Sequence, residues 1–238
     1  MAGVLKVVER QLGLWELKRR LQDLGNRPGR CLEGPVAYGP CLLMSRERGS
    51  GGTLVARILG ERLGWHVFDR EVVDQIAELA HVRQQLLESL DEATRAHVLE
   101  EWRPELEPQD IGYEQYLRFL REVILALGHH GDVIILGRGA QYLLPVQCAV
   151  RARIVAPLEF RVRRVMETLR LPLVEAQHRV EQLDASKTDF IRRCFQSDPQ
   201  RALNYDLTIN TGEVSLEGAA SLILVVMKDK LGVQPPRG

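Results

Sequence analysis

The sequence predicts an α/β fold in which a parallel sheet is covered by helices on both faces. Apolar strand-like segments alternate with helical segments along most of the chain, which is the pattern of βαβ units. Residues Val133-Ile-Ile-Leu136 form an uninterrupted apolar run, typical of a parallel strand buried on both faces. The 238 residues, 45% of them hydrophobic, suffice for one core and a small insertion. We therefore expect one domain with a five-stranded parallel sheet.

The N-terminal region, residues 1–39, reads as an appendage to that domain. Apolar residues recur at helical spacing from residue 3 to residue 25, and Gly25-Asn-Arg-Pro-Gly29 ends the pattern. Residues 26–39 are rich in Gly and Pro and predict a linker. The helix could pack on the main domain or form a dimer contact, and the sequence leaves both alternatives open.

The first strand of the domain leads into a glycine-rich turn and then a helix. The strand begins at Cys41, the turn contains Gly49, Ser50, Gly51 and Gly52, and the helix spans residues 53–63. Glycines allow a tight turn with inward-pointing N–H groups, and the helix contributes the positive end of its dipole. We expect a phosphate or another anion to bind there. Against the phosphate-loop pattern G-x-x-x-x-G-K-[ST], Arg46 replaces the first Gly and Gly52 replaces the Lys.

The remaining elements follow in order along the domain. Residues 65–69 predict a short strand, 70–103 a nearly continuous helical region that Pro104 and Pro108 interrupt, and 113–127 a helix. The segment Gly128-His-His-Gly131 is expected as a loop. Further strands are expected at 133–136, 153–156 and 205–210, helices at 157–170 and onward through residue 193, and a last helix, capped by Ser215, to residue 231.

Polar residues follow the predicted strands at their carboxyl ends. In open parallel sheets ligands bind beyond those ends, so the side chains should meet in one crevice. They are Ser45 and Arg46 after the first strand, Asp69 after the second, Gly137 and Arg138 after the third, and Asn210 and Thr211 after the last.

Additional cations lie on the helices that follow. Arg161 and Arg164 are three residues apart on one helix and share a face, which would suit a phosphate clamp. Lys187, Arg192 and Arg193 lie on a helical stretch that could close as a lid over phosphates and exclude water. A solvated charged surface is the alternative for both clusters.

Composition limits the partners. The 32 basic residues balance the 32 acidic ones, so no overall field favours nucleic acid or an anionic membrane. Cys31, Cys41, Cys148 and Cys194 lack C-x-x-C spacing, and we expect reduced, structural thiols. The longest apolar run near the C-terminus is too short to span a bilayer, and the N-terminus is unlike a signal peptide. These features predict a cytoplasmic protein.

Six ordered blocks resemble the cytidylate kinase-like branch of the nucleoside monophosphate kinases. They are Ser45-Arg-Glu-Arg-Gly-Ser-Gly-Gly52, Phe68-Asp-Arg-Glu71, Leu136-Gly-Arg-Gly-Ala140, Ala156-Pro-Leu-Glu-Phe-Arg161, Asp184-Ala-Ser-Lys187 and Tyr205-Asp-Leu-Thr-Ile-Asn-Thr211. The resemblance implies a three-layer P-loop kinase fold over residues 40–231. Residues 70–130 would form a helical monophosphate-binding insertion between the second and third strands, residues 171–200 a helical lid, and residues 232–238 a tail.

The resemblance also implies roles for individual residues. Residues 49–53 would hold the phosphates of ATP, and the Thr53 hydroxyl would reach Mg²⁺. Asp69 and Arg138 would position the acceptor nucleotide, and Arg161 and Arg164 would face the phosphates beneath the lid. Lys187, Arg192 and Arg193 would belong to the lid, and Asp206 matches a late acidic position of the family. The phosphate-loop Lys of authentic cytidylate kinases is absent, so Arg46, Arg48 or Lys187 would have to replace its charge.

The sequence is consistent with two classes of function. The first is an ATP- and Mg²⁺-dependent kinase that phosphorylates a pyrimidine nucleoside monophosphate, with CMP or dCMP as the expected acceptor. A variant of this class would use another small metabolite. The second is a binding module that keeps nucleotide affinity but has lost the chemistry together with the loop lysine. Acceptor-dependent turnover separates the two classes.

Overall fold

A computed structural model describes residues 31–33, 36–78, 80–99 and 111–234, and it shows the expected parallel sheet. Five strands lie in the order β4-β5-β3-β6-β7, and each adjacent pair is parallel. Their bounds are Cys41–Arg46 for β3, His66–Phe68 for β4, Val133–Leu136 for β5, Ala149–Val155 for β6 and Leu207–Asn210 for β7. The α/β fold with a five-stranded parallel sheet is thus confirmed.

One face of the sheet is covered by the helices that begin and end the fold. Helix α1 spans Gly52–Leu63 and the last helix, α8, spans Leu216–Leu231. Apolar residues of both helices pack in one buried cluster with Leu42 and Met44 of the central strand. The predicted cap of α8 is present, because the Ser215 hydroxyl oxygen accepts a hydrogen bond from the Gly218 N–H.

The opposite face carries the predicted helical insertion between β4 and β5. Its helices are α2 (Arg70–Glu78), α3 (Ala80–Glu88), α4 (Glu92–Leu99) and α5 (Ile111–His130). Leu120 and Ile124 of α5 are fully buried in the same cluster as Leu43 and Ile135 of the sheet. The insertion is therefore part of the main core.

Two further helices connect β6 to β7. Helix α6 spans Leu158–Leu169. Helix α7 spans Leu173–Phe195 and lies within residues 171–200, the region predicted as the lid. They share a small apolar cluster of their own, formed by Val162, Val165, Ala176 and Val180. None of the helices that the structure describes is long and apolar enough to cross a membrane.

Two predictions about the N-terminal part and the histidines differ from the structure. Within the predicted linker, Cys31–Glu33 (β1) and Val36–Tyr38 (β2) pair as an antiparallel hairpin, because Val36 and Tyr38 have a core to bury against. His129 and His130, expected in a loop, form the last turn of α5, since one glycine costs a helix only about 1 kcal/mol and the buried residues before it hold the turn. The predicted N-terminal helix lies outside the described residues.

The expectation of reduced thiols is wrong for one pair of cysteines. Cys31 of the hairpin and Cys148, just before β6, form a disulfide with their Cα atoms 5.5 Å apart. They are 117 residues apart in sequence, so no local spacing could indicate the pairing. Cys41 and Cys194 are free and buried, as expected for structural thiols.

Candidate active site

A cleft of ≈ 570 Å³ opens at the carboxyl ends of β3, β4 and β5. Its volume falls in the range of small-molecule sites, and its position is where parallel sheets bind ligands. The end of β3, Arg48 just before the glycine-rich turn, the start of α2, the turn after β5 and helix α7 line it. The predicted site residues among the lining are Arg46, Asp69, Arg138 and Lys187.

The glycine-rich loop is held in shape by its own backbone and by neighbouring elements. The Ser50 N–H and hydroxyl both donate to the Glu47 carbonyl oxygen, at 3.2 and 2.9 Å. Thr211, after β7, donates its hydroxyl to the Ser50 carbonyl oxygen at 2.5 Å. Gly51 is left-handed, with φ of 84°, and precedes α1 without a side chain that could cap it. The first turn of α1 also carries no acidic residue, so its N–H groups suit an anion.

Arg164 lies directly against this loop and fits a phosphate group there. Its Nη1 atom is buried and has no hydrogen-bond partner among the described residues. A Cβ atom at Gly51 would overlap that nitrogen, which shows how closely the guanidinium approaches the loop. Leaving a buried guanidinium N–H unpaired is costly, and an anion bound at the loop would remove that cost. Residues 49–53 with Arg164 therefore fit the triphosphate that the sequence predicts.

Lys187 reaches the loop from helix α7. Its Nζ donates to the Ser45 hydroxyl oxygen at 2.8 Å and to the Arg46 carbonyl oxygen at 3.0 Å. An ammonium has three N–H donors, so one remains while the side chain lines the cleft. Burial, helped by the charges of Arg153 and Arg46, lowers the pKa of Lys187 to about 8. A lysine ammonium thus lies at the phosphate loop although the loop itself has none.

Arg46 at the end of β3 and Asp69 after β4 both line the cleft. Burial lowers the pKa of the Arg46 guanidinium below its usual value, although the Asp69 carboxylate opposes the shift. Asp69 also caps helix α2, because its Oδ1 accepts hydrogen bonds from the N–H groups of Glu71 and Val72, both at 3.1 Å. Asp69 therefore positions the insertion as well as lining the cleft.

Arg138 stands at the junction of the sheet, the insertion and α7. It is left-handed, with φ of 55°, and its guanidinium forms an ion pair with Asp74 of α2. Asp74 also accepts a hydrogen bond from the Tyr116 hydroxyl at 2.8 Å. The guanidinium carbon lies 5.3 Å from the ring centroid of Phe190 on α7. The end of β5, the ion pair with α2 and the aromatic ring of α7 thus fix the guanidinium of Arg138 at the cleft.

Arg161 binds residues that hold the glycine-rich loop and does not line the cleft. It is 9% exposed, donates to the Asp184 carboxylate at 2.5 Å and pairs with Glu47 at 3.4 Å. Asp184 also accepts from the Arg48 N–H at 3.1 Å, and Glu47 accepts from Arg153 at 3.0 Å. The sequence alone did not predict roles for Glu47, Asp184, Asp74 or Arg153. Only Asp184 carried a usable signal, because it lies one helical turn before Lys187 and shares its face.

Three other residues that the resemblance singled out, Arg192 and Arg193 of the lid and the acidic Asp206, lie away from the cleft. Arg192 and Arg193 are exposed on α7 and are not among the residues that line the cleft. Asp206 precedes β7 at the amino end of the strand, where it pairs with Arg151 at 3.0 Å and Lys230 at 2.8 Å. That end of the sheet is opposite the cleft, so Asp206 links β6, β7 and α8.

The predicted metal ligand, Thr53, lies at the start of the helix that follows the glycine-rich loop. Thr53 is the second residue of α1, in the position expected for a hydroxyl that reaches Mg²⁺. Within residues 31–33, 36–78, 80–99 and 111–234, no group of three or more His, Cys, Asp or Glu side chains could hold a metal ion. A divalent cation would therefore depend on the phosphates of its nucleotide for most of its ligands.

The parallel sheet and the glycine-rich loop define an α/β protein whose loop suits an anion, and comparisons with known proteins narrow that class. The model of the cytidylate kinase-like family matches residues 43–213. A cytidylate kinase of Methanopyrus kandleri is 27% identical over 199 residues, which are 79% of this chain and 93% of that protein. A crystal structure of an uncharacterized protein from Eubacterium ventriosum has a TM-score of 0.56 at 20% identity, over 79% of this chain and 98% of that one.

A second curated relative matches only in part. A uronate isomerase of Corynebacterium glutamicum is 33% identical over 105 residues, which are 44% of this chain but 20% of that protein. The chain thus spans about a fifth of that relative's length, and the match transfers no activity. The family match covers well over half of the chain. The protein therefore belongs to the cytidylate kinase-like family, and that membership supports a phosphotransferase that acts on a nucleotide or another small molecule.

Proposed function

We propose that the protein transfers the γ-phosphoryl group of Mg·ATP to a pyrimidine nucleoside monophosphate, with CMP or dCMP as the acceptor. One observation carries the proposal: Arg46, Arg138 and Lys187 converge on a single cleft beside the glycine-rich loop. Phosphoryl transfer requires two substrates held in line and their negative charge neutralised. The three cations of the cleft support the second requirement, and the position of the cleft beside the loop supports the first.

The donor side is supported by the loop and its neighbours. Residues 49–53 present the start of α1 to the triphosphate, and Arg164 offers a buried N–H beside Gly51. Lys187 places its ammonium at the other end of the loop. Bound magnesium would supply further neutralisation of the phosphate charge, with Thr53 as its protein ligand. These groups would stabilise charge that develops during transfer without reorganising.

The acceptor side is supported by Arg138 and the residues around it. A guanidinium that Asp74 orients is suited to hold an acceptor phosphate in a fixed direction. Phe190 and Arg70 lie in the same lining, so the cleft combines an aromatic face with a second cation. The similarity to the Methanopyrus cytidylate kinase favours a cytosine nucleotide as the acceptor.

The proposal is tested by coupled ADP release with Mg·ATP and a panel of CMP, dCMP, UMP, AMP, GMP and small hydroxylated metabolites. We expect acceptor-dependent turnover with CMP or dCMP, and Arg138→Asn should lower kcat/KM for the acceptor about a hundredfold. Asn is chosen because it tolerates the left-handed backbone at this position. The matched control is Arg163→Asn, an exposed arginine of α6 outside the cleft lining.

The result that would overturn the proposal is wild-type protein that binds ATP but releases no ADP with any acceptor. That outcome would instead favour the nucleotide-binding module, for which the missing loop lysine is the specific observation. Turnover with a hydroxylated metabolite but not with any nucleotide would keep the kinase chemistry and replace the acceptor.

A further inference from the structure

The loop departs from the phosphate-loop pattern at two positions, and the structure brings the two departures into contact. Arg46 occupies the position of the first glycine, and Gly52 occupies the position of the lysine. They are six residues apart in the chain. The loop folds back between them, so that the side chain of Arg46 lies against the start of α1.

The contact excludes a side chain at position 52. A Cβ atom on Gly52 would be 2.7 Å from Cβ and 3.2 Å from Cδ of Arg46, and 3.4 Å from Cβ of Ile154. Cβ of Arg46 is fixed by the backbone of β3 and cannot move aside as the end of a flexible side chain can. A lysine at position 52 is therefore incompatible with an arginine at position 46.

The missing ammonium is present in another element. The sequence contains five lysines, and Lys187 is the lysine among the residues that line the cleft. Its Nζ is bound to the carbonyl oxygen of Arg46, the residue at the first position of the loop pattern. The loop has no lysine of its own, and the ammonium of Lys187 binds it instead.

Asp184 ties the segment that carries this lysine to the loop. Asp184 precedes Lys187 by one helical turn, and its carboxylate binds the Arg48 N–H and the Arg161 guanidinium. The two side chains thus contact the loop at Ser45, Arg46 and Arg48 from one face of α7. The ammonium reaches the loop only when α7 lies in this position.

We propose that Lys187 of α7 replaces the loop lysine that Arg46 excludes from position 52, so that the lid helix supplies the cation that binds the donor phosphates. We call this replacement, which involves Arg46, Gly52 and Lys187, the lysine exchange. The proposal rests on the proposed function for the identity of the donor, and it assigns Lys187 a contact with the transferring end of ATP. Donor binding and the docking of α7 on the loop are consequently one event. An undocked α7 leaves the loop without an ammonium.

The test moves the lysine back into the loop and measures affinity for Mg·ATP by calorimetry. Lys187→Met should weaken binding about tenfold to a hundredfold, the range for one charge-assisted hydrogen bond. Adding Gly52→Lys alone should not restore affinity, because Arg46 blocks the new stem. Adding Arg46→Gly together with Gly52→Lys should restore most of it.

Thermal melts of each variant show whether it is folded. If the triple variant does not fold, Lys187→Arg still decides the point, because it should retain most of the affinity that Lys187→Met loses. Equal affinity of Lys187→Met and wild type would overturn the proposal, as would full restoration by Gly52→Lys alone. Neither result depends on turnover. An absent acceptor reaction would therefore refute the proposed function without refuting the lysine exchange.

Discussion

The insertion and the lid helix border the same cleft but are held by different forces. Helices α2 to α5 pack into the core of the sheet through fully buried residues such as Leu120 and Ile124. Helix α7 packs on α6 in a small apolar cluster, and its C-terminal end joins the main core through Cys194 and Phe195. It reaches the loop through the charged side chains of Asp184 and Lys187. Burial fixes the insertion whether or not a ligand is bound. The contacts between α7 and the loop are polar, so a bound phosphate can strengthen or replace them.

The largest expected effect concerns the core of the insertion. Ile124→Ala should lower the free energy of unfolding by about 2–5 kcal/mol, because the site is fully buried and cannot collapse freely. Val180→Ala in the cluster between α6 and α7 removes two methyl groups, one carbon fewer than Ile124→Ala, and should cost about 1–2 kcal/mol. Urea denaturation measures both values. Equal losses would erase the distinction between the two regions.

The next effect concerns the charges that dock α7. Asp184→Asn removes the anion between Arg161 and the loop, so we expect kcat/KM to fall about tenfold or more while the melting temperature changes little. Limited proteolysis should cut α7 faster in the variant than in the wild type. A variant that unfolds as a whole, with no selective cleavage, would show that α7 does not open independently of the main core.

A smaller effect is expected from pH. The pKa of Lys187 is about 8, so the ammonium is present below that pH and lost above it. Affinity for Mg·ATP should therefore fall above pH 8, by at most about tenfold per pH unit. The charged or titratable groups around Lys187 are Arg46, Glu47, Arg153, Asp184 and, through Ser45, Tyr205.

Calorimetry between pH 7 and 9.5 measures this dependence, and Lys187→Arg is the control because arginine keeps its charge throughout the range. A wild type whose affinity is unchanged across pH 8 would contradict the proposed contact between the ammonium and the phosphates.

The smallest effect is on the stability of the ligand-free protein. The pKa of Lys187 is lower in the folded than in the unfolded chain, so between about pH 8 and its ordinary value of 10.5 the unfolded chain binds more protons. Stability should therefore rise with pH in that window. The melting temperature of wild type relative to Lys187→Met isolates the effect from other titrating groups. A difference that stays constant over the window would mean that Lys187 is not desolvated.

The position of the cleft could be predicted from sequence, because parallel strands bring their carboxyl ends to one edge. A glycine-rich turn after β3, Asp69 after β4 and Arg138 after β5 were sufficient for that step. Local pattern also indicated the insertion and the cap at Ser215. These features depend on neighbouring residues in the chain, which a sequence displays directly.

The contacts that define the site's charge could not be predicted, because they join distant parts of the chain. Lys187 and Ser45 are 142 residues apart, and nothing in either segment specifies the other. Arg161 and Arg164 share a helix, but Arg161 is bound by Glu47 and Asp184 while Arg164 lies on Gly51. Which of two neighbouring arginines meets a carboxylate depends on packing, and spacing along a helix does not reveal it.

The packing of Arg46 on Gly52 affects how such proteins are recognised in genomes. A search that demands lysine before the helix discards every chain in which that ammonium comes from a later element. A bulky residue at the first loop position, glycine at the lysine position and a distal Asp-x-x-Lys form a combined signature. The three positions should vary together among homologues. A homologue with lysine at the position of Gly52 should therefore have glycine at the position of Arg46.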